Sequence, residues 1–150
     1  MAMNRIFAGH EKNNTFGVVP KDTVAGDPVW WGDLPAVAIT NRGDATQTTE
    51  VSSMEITVPN GGVGLEDDEA SLATDGTYHL AVEEVLAASA PANGVPVYAI
   101  PADSEDPVVL TLEGDDGKDV DPVANIRFGV INAPNNYVWE DDYAPVRIGV

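Results

Sequence analysis

Gly26-Asp27-Pro28-Val29 leads into Pro35-Ala36-Val37-Ala38-Ile39-Thr40, and far downstream Gly94-Val95-Pro96-Val97-Tyr98 is followed by Arg127-Phe128-Gly129-Val130-Ile131. One motif is used twice: a Gly-x-Pro-Val turn into a strand, then a short apolar run. A long acidic insert separates the two parts of the second copy. Neither copy contains a nucleophile, a metal cluster or a phosphate loop. The repetition therefore reads as architecture, and function is expected on a surface.

Outward from the repeat the chain keeps the same character. Phe16-Gly17-Val18-Val19 ends at Pro20, and β character restarts after a Lys-Asp turn. Pro28 either opens its strand or confines it to a sheet edge, because proline donates nothing to a ladder. Trp30 and Trp31 are adjacent, so in a strand they point to opposite faces and one of them is expected at an interface, Trp31 being the expected outward residue. Residues 47–59 alternate, with Met54, Ile56 and Val58 on one face, and predict a single half-buried strand. Residues 71–82, 97–100, 108–112, 126–131 and 146–150 read as further strands. Glu83-Glu84-Val85-Leu86-Ala87-Ala88 predicts one short helix, with carboxylates at its N-terminal end and Pro91 beyond it.

A chain of 150 residues with 14 Gly and 11 Pro suits one domain of short, often interrupted elements. The expected fold is all-β: a compact barrel or sandwich of short strands over residues 15–150, with one short helix and an extended N-terminal arm over residues 1–14. The arm carries Arg5, Ile6, Phe7 and Lys12 in a chain of net charge −18, and it is the segment expected to touch a negatively charged neighbour. A frayed terminus is the plainer reading of the same residues.

The charge excludes much. Asp plus Glu total 25 against 7 Lys plus Arg, a field that repels phosphate backbones, so no nucleic-acid partner is expected. The same surplus keeps copies apart until salt or a basic partner screens it, and it would also mark a salt-adapted chain. With no cysteine there is no disulfide, thiolate site or cysteine catalysis. No stretch approaches the ~18 apolar residues of a membrane span, and residues 1–14 lack an apolar signal-peptide core, so cytoplasmic synthesis without membrane association is expected.

Tests for chemistry return little. Gly114-Asp115-Asp116-Gly117-Lys118-Asp119-Val120-Asp121 is rich in oxygen ligands but lacks the ligand order of an EF-hand. Gly61-Gly62-Val63-Gly64-Leu65-Glu66 occurs once, whereas glycine-rich calcium repeats work in tandem. His10 and His79 are far apart, and no nucleophile elbow or phosphate loop is present. Neither an enzyme, nor a metal, nor a cofactor is expected.

The order Val24-Ala25-Gly26-Asp27-Pro28-Val29, Ala36-Val37-Ala38-Ile39-Thr40, Asp75-Gly76-Thr77-Tyr78, Gly94-Val95-Pro96-Val97-Tyr98, Phe128-Gly129-Val130 and Val146-Arg147-Ile148 resembles the small capsid decoration, or cement, proteins of tailed bacteriophages. The resemblance implies a barrel-like β domain on the outer surface of an icosahedral virion, assembled in the host cytoplasm. It further implies a major capsid protein as partner and a homotrimer at threefold and quasi-threefold positions, with no active site. Arg5, Ile6, Phe7, Lys12, Trp30 and Trp31 are then the candidate capsid or subunit contacts. The alternative is an acidic β-sandwich module binding carbohydrate or calcium at the Trp30-Trp31 edge.

Overall fold

The computed structural model describes residues 5–7, 14–44, 46–51, 53–59, 65–101, 103, 105–118 and 123–149. In chain order the strands are β1 (Arg5–Phe7), β2 (Asn14–Val18), β3 (Pro28–Trp31), β4 (Leu34–Ala38), β5 (Thr46–Val51), β6 (Met54–Pro59), β7 (Glu69–Ala73), β8 (Gly76–Ala81), β9 (Pro96–Ala99), β10 (Leu110–Thr111), β11 (Ile126–Ile131) and β12 (Tyr143–Ile148). A six-stranded sheet runs β1-β8-β12-β11-β9-β10, a four-stranded sheet β2-β7-β4-β3, and β5 and β6 form a separate hairpin. Both larger sheets are antiparallel and curl into half-barrels, so the all-β expectation holds.

Each repeat becomes one antiparallel pair. Pro28 opens β3, which pairs with β4 through Val29↔Ala36 and Trp31↔Leu34. Pro96 opens β9, which pairs with β11 through Pro96↔Val130 and Ala99↔Ile126. The glycine before each proline turns the chain into its strand, Gly26 at φ 108° and Gly94 at φ 88°, values that L side chains rarely adopt. The first pair lies in the four-stranded sheet and the second in the six-stranded one.

The sheets share one main core. Tyr78, Leu80, Val97, Leu110, Phe128, Ile131, Val146 and Ile148 of the larger sheet close on Val37 and Ala73 of the smaller, with Trp30 and Ile39 packed against them. A second core of Val19, Val29, Ala36, Ala38, Ala70 and Leu72 fills the other face of the four-stranded sheet. Strand alternation divides them, since Val37 and Ala73 point one way while Ala36, Ala38 and Leu72 point the other. Gly129 is required where β11 runs beside β12, because a Cβ there would meet the Arg147 carbonyl oxygen at 2.5 Å.

Two expectations are corrected. Residues 83–88 do not form a helix: Glu84 sits at φ 65°, outside any right-handed helix, and Glu83 bridges Thr111 instead. Tertiary bonds outweigh the local signal, since the Glu84 carboxylate accepts the Thr111 hydroxyl at 2.6 Å and the Leu112 N–H at 3.3 Å while Val85 is fully buried. The helical element among the described residues is one 3-10 turn, Ala87–Ser89. Residues 47–59 are not one half-buried strand either. Ser53 at φ 65° turns the chain back, β5 pairs β6 from Thr46↔Pro59 to Val51↔Met54, and side chains 53–57 are exposed on both faces.

Candidate interaction surface

Trp30 and Trp31 separate as alternation demands, but each meets a core of its own. Trp30 stands edge-on to Phe128, ring centroids 5.4 Å apart, at the margin of the main core. Trp31 turns toward the second core: a Cβ built on Gly17 would lie 2.9 Å from Trp31 Cδ1 and 3.0 Å from Leu72 Cδ1. The sheet therefore curls until the β3 side chain lies over β2. Trp31 stays 41% exposed, the more open ring of the two.

Of the arm residues, Arg5, Ile6 and Phe7 form β1, the edge strand paired with β8 through Arg5↔Tyr78 and Phe7↔Thr77. Lys12 lies outside the described residues. The structure does not bring the arm strand and the tryptophans onto one element, since β1 edges the six-stranded sheet and Trp30 and Trp31 edge the four-stranded one.

Three other surfaces stand out. A cleft of about 820 Å³ opens beside β2, with Val18, Trp30, Val108, Ile100 and Ile126 as apolar lining. Its rim is charged: Lys21 and Arg42 among Asp33, Asp68, Asp103, Glu105 and Asp106. Among the described residues the hairpin β5–β6 is joined by no strand of either larger sheet, and it exposes Met54 by 65% and Ile56 by 37%. On the outer side of β8 and β12 a chain of rings runs Trp139, Tyr137, His79, Tyr143, the last two stacked at 5.0 Å. Partial burial and the nearby Glu140 charge hold the Tyr137 phenol above its ordinary range, so it stays protonated at neutral pH.

In the described part of the acidic loop Asp116 is bonded by its own chain. The Asp116 carboxylate accepts the Val123 N–H at 3.1 Å and the Lys118 N–H at 3.3 Å, and it pairs with Lys118 Nζ at 2.8 Å. These bonds, the Lys118 side chain first, hold its carboxyl below the usual aspartate range. Among the described residues no group of three His, Cys, Asp or Glu is placed to hold a metal ion.

Phe16, Val18, Met54 and Ile56 are exposed residues that the sequence pattern does not mark as surface. For β2 no signal was there to read, because apolar residues fall on both sides of the chain toward its C-terminal end: Phe16 and Val18 on one, Val19 just beyond the strand on the other. For β6 the Ser52-Ser53 pair was the signal, a polar interruption inside an otherwise alternating run. No protein-family model matches the chain, nor does any curated protein or solved structure.

Proposed function

We propose that this protein is a capsid decoration protein that binds the outer surface of an icosahedral phage shell and bridges the junctions between capsomers. The observation that carries the reading is the hairpin β5–β6, which is attached to a well-packed two-sheet body and exposes side chains on both faces. A lone two-stranded hairpin is marginal in water, so it gains stability when a partner supplies the missing layer. Met54 and Ile56 are its apolar contacts. The order of motifs that resembles cement proteins supports this reading, as does a net charge of −18, which keeps decorated particles apart in solution.

A ligand that binds the assembled shell and not its separated parts stabilises the shell by mass action, and many weak copies suffice. Incubating bare expanded shells with the protein and heating them tests the reading. The expected result is saturable binding and a higher disruption temperature, with both effects weakened by Met54→Asp and Ile56→Asp. Absence of binding and of any thermal shift would remove the proposal. The cleft holding Trp30 favours a second reading, a carbohydrate-binding module. Tryptophan fluorescence titrated with oligosaccharides separates the two, since a saturable change belongs only to the second.

A further inference from the structure

We propose that β2 is a self-association edge: two copies of the chain pair their β2 strands antiparallel about a two-fold axis passing between the two Gly17 residues. β2 edges the four-stranded sheet and lies in a different sheet from the hairpin β5–β6.

The backbone comes first. Val19 donates its N–H to the Asp68 carbonyl at 3.0 Å, and the register continues Gly17↔Ala70 and Thr15↔Leu72. In an antiparallel ladder successive residues direct their N–H and C=O to alternate sides. The odd-numbered residues of β2 therefore serve β7, and Phe16 and Val18 direct theirs off the sheet. Among the described residues nothing takes the N–H of Phe16 or Val18, and the Phe16 carbonyl has only a 3.5 Å bond from the Thr15 hydroxyl. The side chains of these two residues share one face and are 61% and 65% exposed.

Edge strands are ordinarily blunted by charge, proline or brevity. The described edges of this protein follow the rule with one exception. β1 carries Arg5, β3 opens on Pro28, β5 carries Glu50, β6 carries Glu55 and ends on Pro59, and β10 has 2 residues. β2 reads Asn-Thr-Phe-Gly-Val, with 5 residues and none of these devices.

The occupant follows from register and charge. With Gly17 opposite Gly17, Phe16 of each copy lies opposite Val18 of the other, and the four outward amide and carbonyl groups of one strand meet those of the second. Each aromatic ring then packs across from a β-branched side chain, a favourable cross-strand pair, and β2 itself sets no side chain at the axis, where the Trp31 ring of each copy lies over its own Gly17. In a chain of −18 this strand carries no charge, so a second copy meets no like charge inside the contact. Antiparallel pairing also sets the acidic end near Asp68 and Glu69 against the uncharged Asn14 end of the neighbour.

The two bodies still repel at long range, and raising salt from 0.1 M to 1 M shortens the screening length from about 10 Å to about 3 Å. Association is therefore expected to strengthen with salt. A contact built on one 5-residue strand from each copy is small and belongs to the weak, transient class, so sedimentation equilibrium should run to about 1 mM protein. The expected result is a monomer–dimer equilibrium that tightens about tenfold or more across that salt range, with the Phe16 and Val18 amides gaining hydrogen-exchange protection in the dimer. Phe16→Asp sets two like charges into the contact, and Val18→Pro deletes an outward N–H while leaving the bonds to β7. Both should remain monomeric. If Val18→Pro fails to fold, Phe16→Asp, altered at an exposed side chain, carries the test. A parent that stays monomeric in 1 M salt, a dimer or trimer whose Phe16 and Val18 amides stay unprotected, or variants that associate like the parent would each overturn the proposal.

Discussion

In the first repeat β3 and β4 are joined by the tight turn at Gly32 and Asp33, and β3 remains at the edge of its sheet; in the second, β9 and β11 pair in the same way across the long acidic insert, and β10 covers the far side of β9. The insert is what covers that edge, since β10 lies within it and buries Leu110 in the main core. The first repeat has no insert, and its edge is protected by Pro28 at the start of β3. One motif thus meets the edge-strand problem in two ways, by adding chain and by removing a donor. The repeats also differ in what they bury. The second contributes Val97 and Phe128 to the core between the sheets, and the first divides its apolar residues between that core and a smaller one.

Truncating one buried residue from each core tests that difference most strongly. Phe128 is 1% exposed, contacts Trp30 and lies where both sheets meet, so Phe128→Ala should cost about 3–5 kcal/mol. Hydrogen exchange should accelerate in both sheets. Leu72 is fully buried, but its core is closed in part by the half-exposed Trp31, so the site can collapse and Leu72→Ala should fall near the low end of the usual ~2–5 kcal/mol range. Its effect on exchange should be confined to β2, β7, β4 and β3. Denaturant unfolding with residue-resolved exchange reads both. Equal losses spread over the whole molecule would mean that the two cores act as one.

The tandem tryptophans carry the same comparison onto adjacent positions. Trp30→Ala removes the ring packed on Phe128 and should cost about 3 kcal/mol or more. Trp31→Ala removes a ring 41% exposed, and should cost about 1–2 kcal/mol because much of that surface is never withdrawn from water. Thermal unfolding of the two variants gives the order. A larger loss for Trp31→Ala would make the second core the tighter of the two.

Most of the architecture was legible because β structure writes itself as alternation and punctuation. Proline at the first residue of β3 and β9, and a positive-φ glycine ahead of each, located both repeats. What could not be read has a common cause. At Ser53, Glu84 and Asp142 the chain takes φ values of 65°, 65° and 61° without glycine, so the usual mark of a reversal is missing. The Glu84 conformation is fixed by Thr111 and Leu112, far away in sequence, and no local window contains them. The tryptophans were placed on opposite faces correctly, yet a chain that gives each ring a core cannot be told by alternation from one that leaves a ring in solvent. The arm was legible only as charge; its pairing with β8 is a long-range event.

The insert that distinguishes the second repeat holds an ion pair of its own. Asp116 receives Lys118 Nζ at 2.8 Å and the N–H groups of Val123 and Lys118, and these partners favour its charged form. Its carboxyl therefore titrates below its usual 3.8, the Lys118 side chain being the largest cause. A carboxyl depressed in the folded state contributes stability that is present above its unfolded pKa and is lost as pH falls through the folded value. The loop bonds should accordingly persist at neutral pH and loosen only below 3.8. Following the Asp116 carboxyl by NMR from about pH 6 to about pH 2 spans that transition. In Lys118→Ala the midpoint should move up toward 3.8 and stop short of it, because the Val123 N–H still donates to the carboxylate. Global unfolding should shift little, since solvent screens an exposed ion pair of this kind. A parent midpoint at or above 3.8 would show that the loop is not held by these bonds, and the insert would then serve the fold through β10 alone.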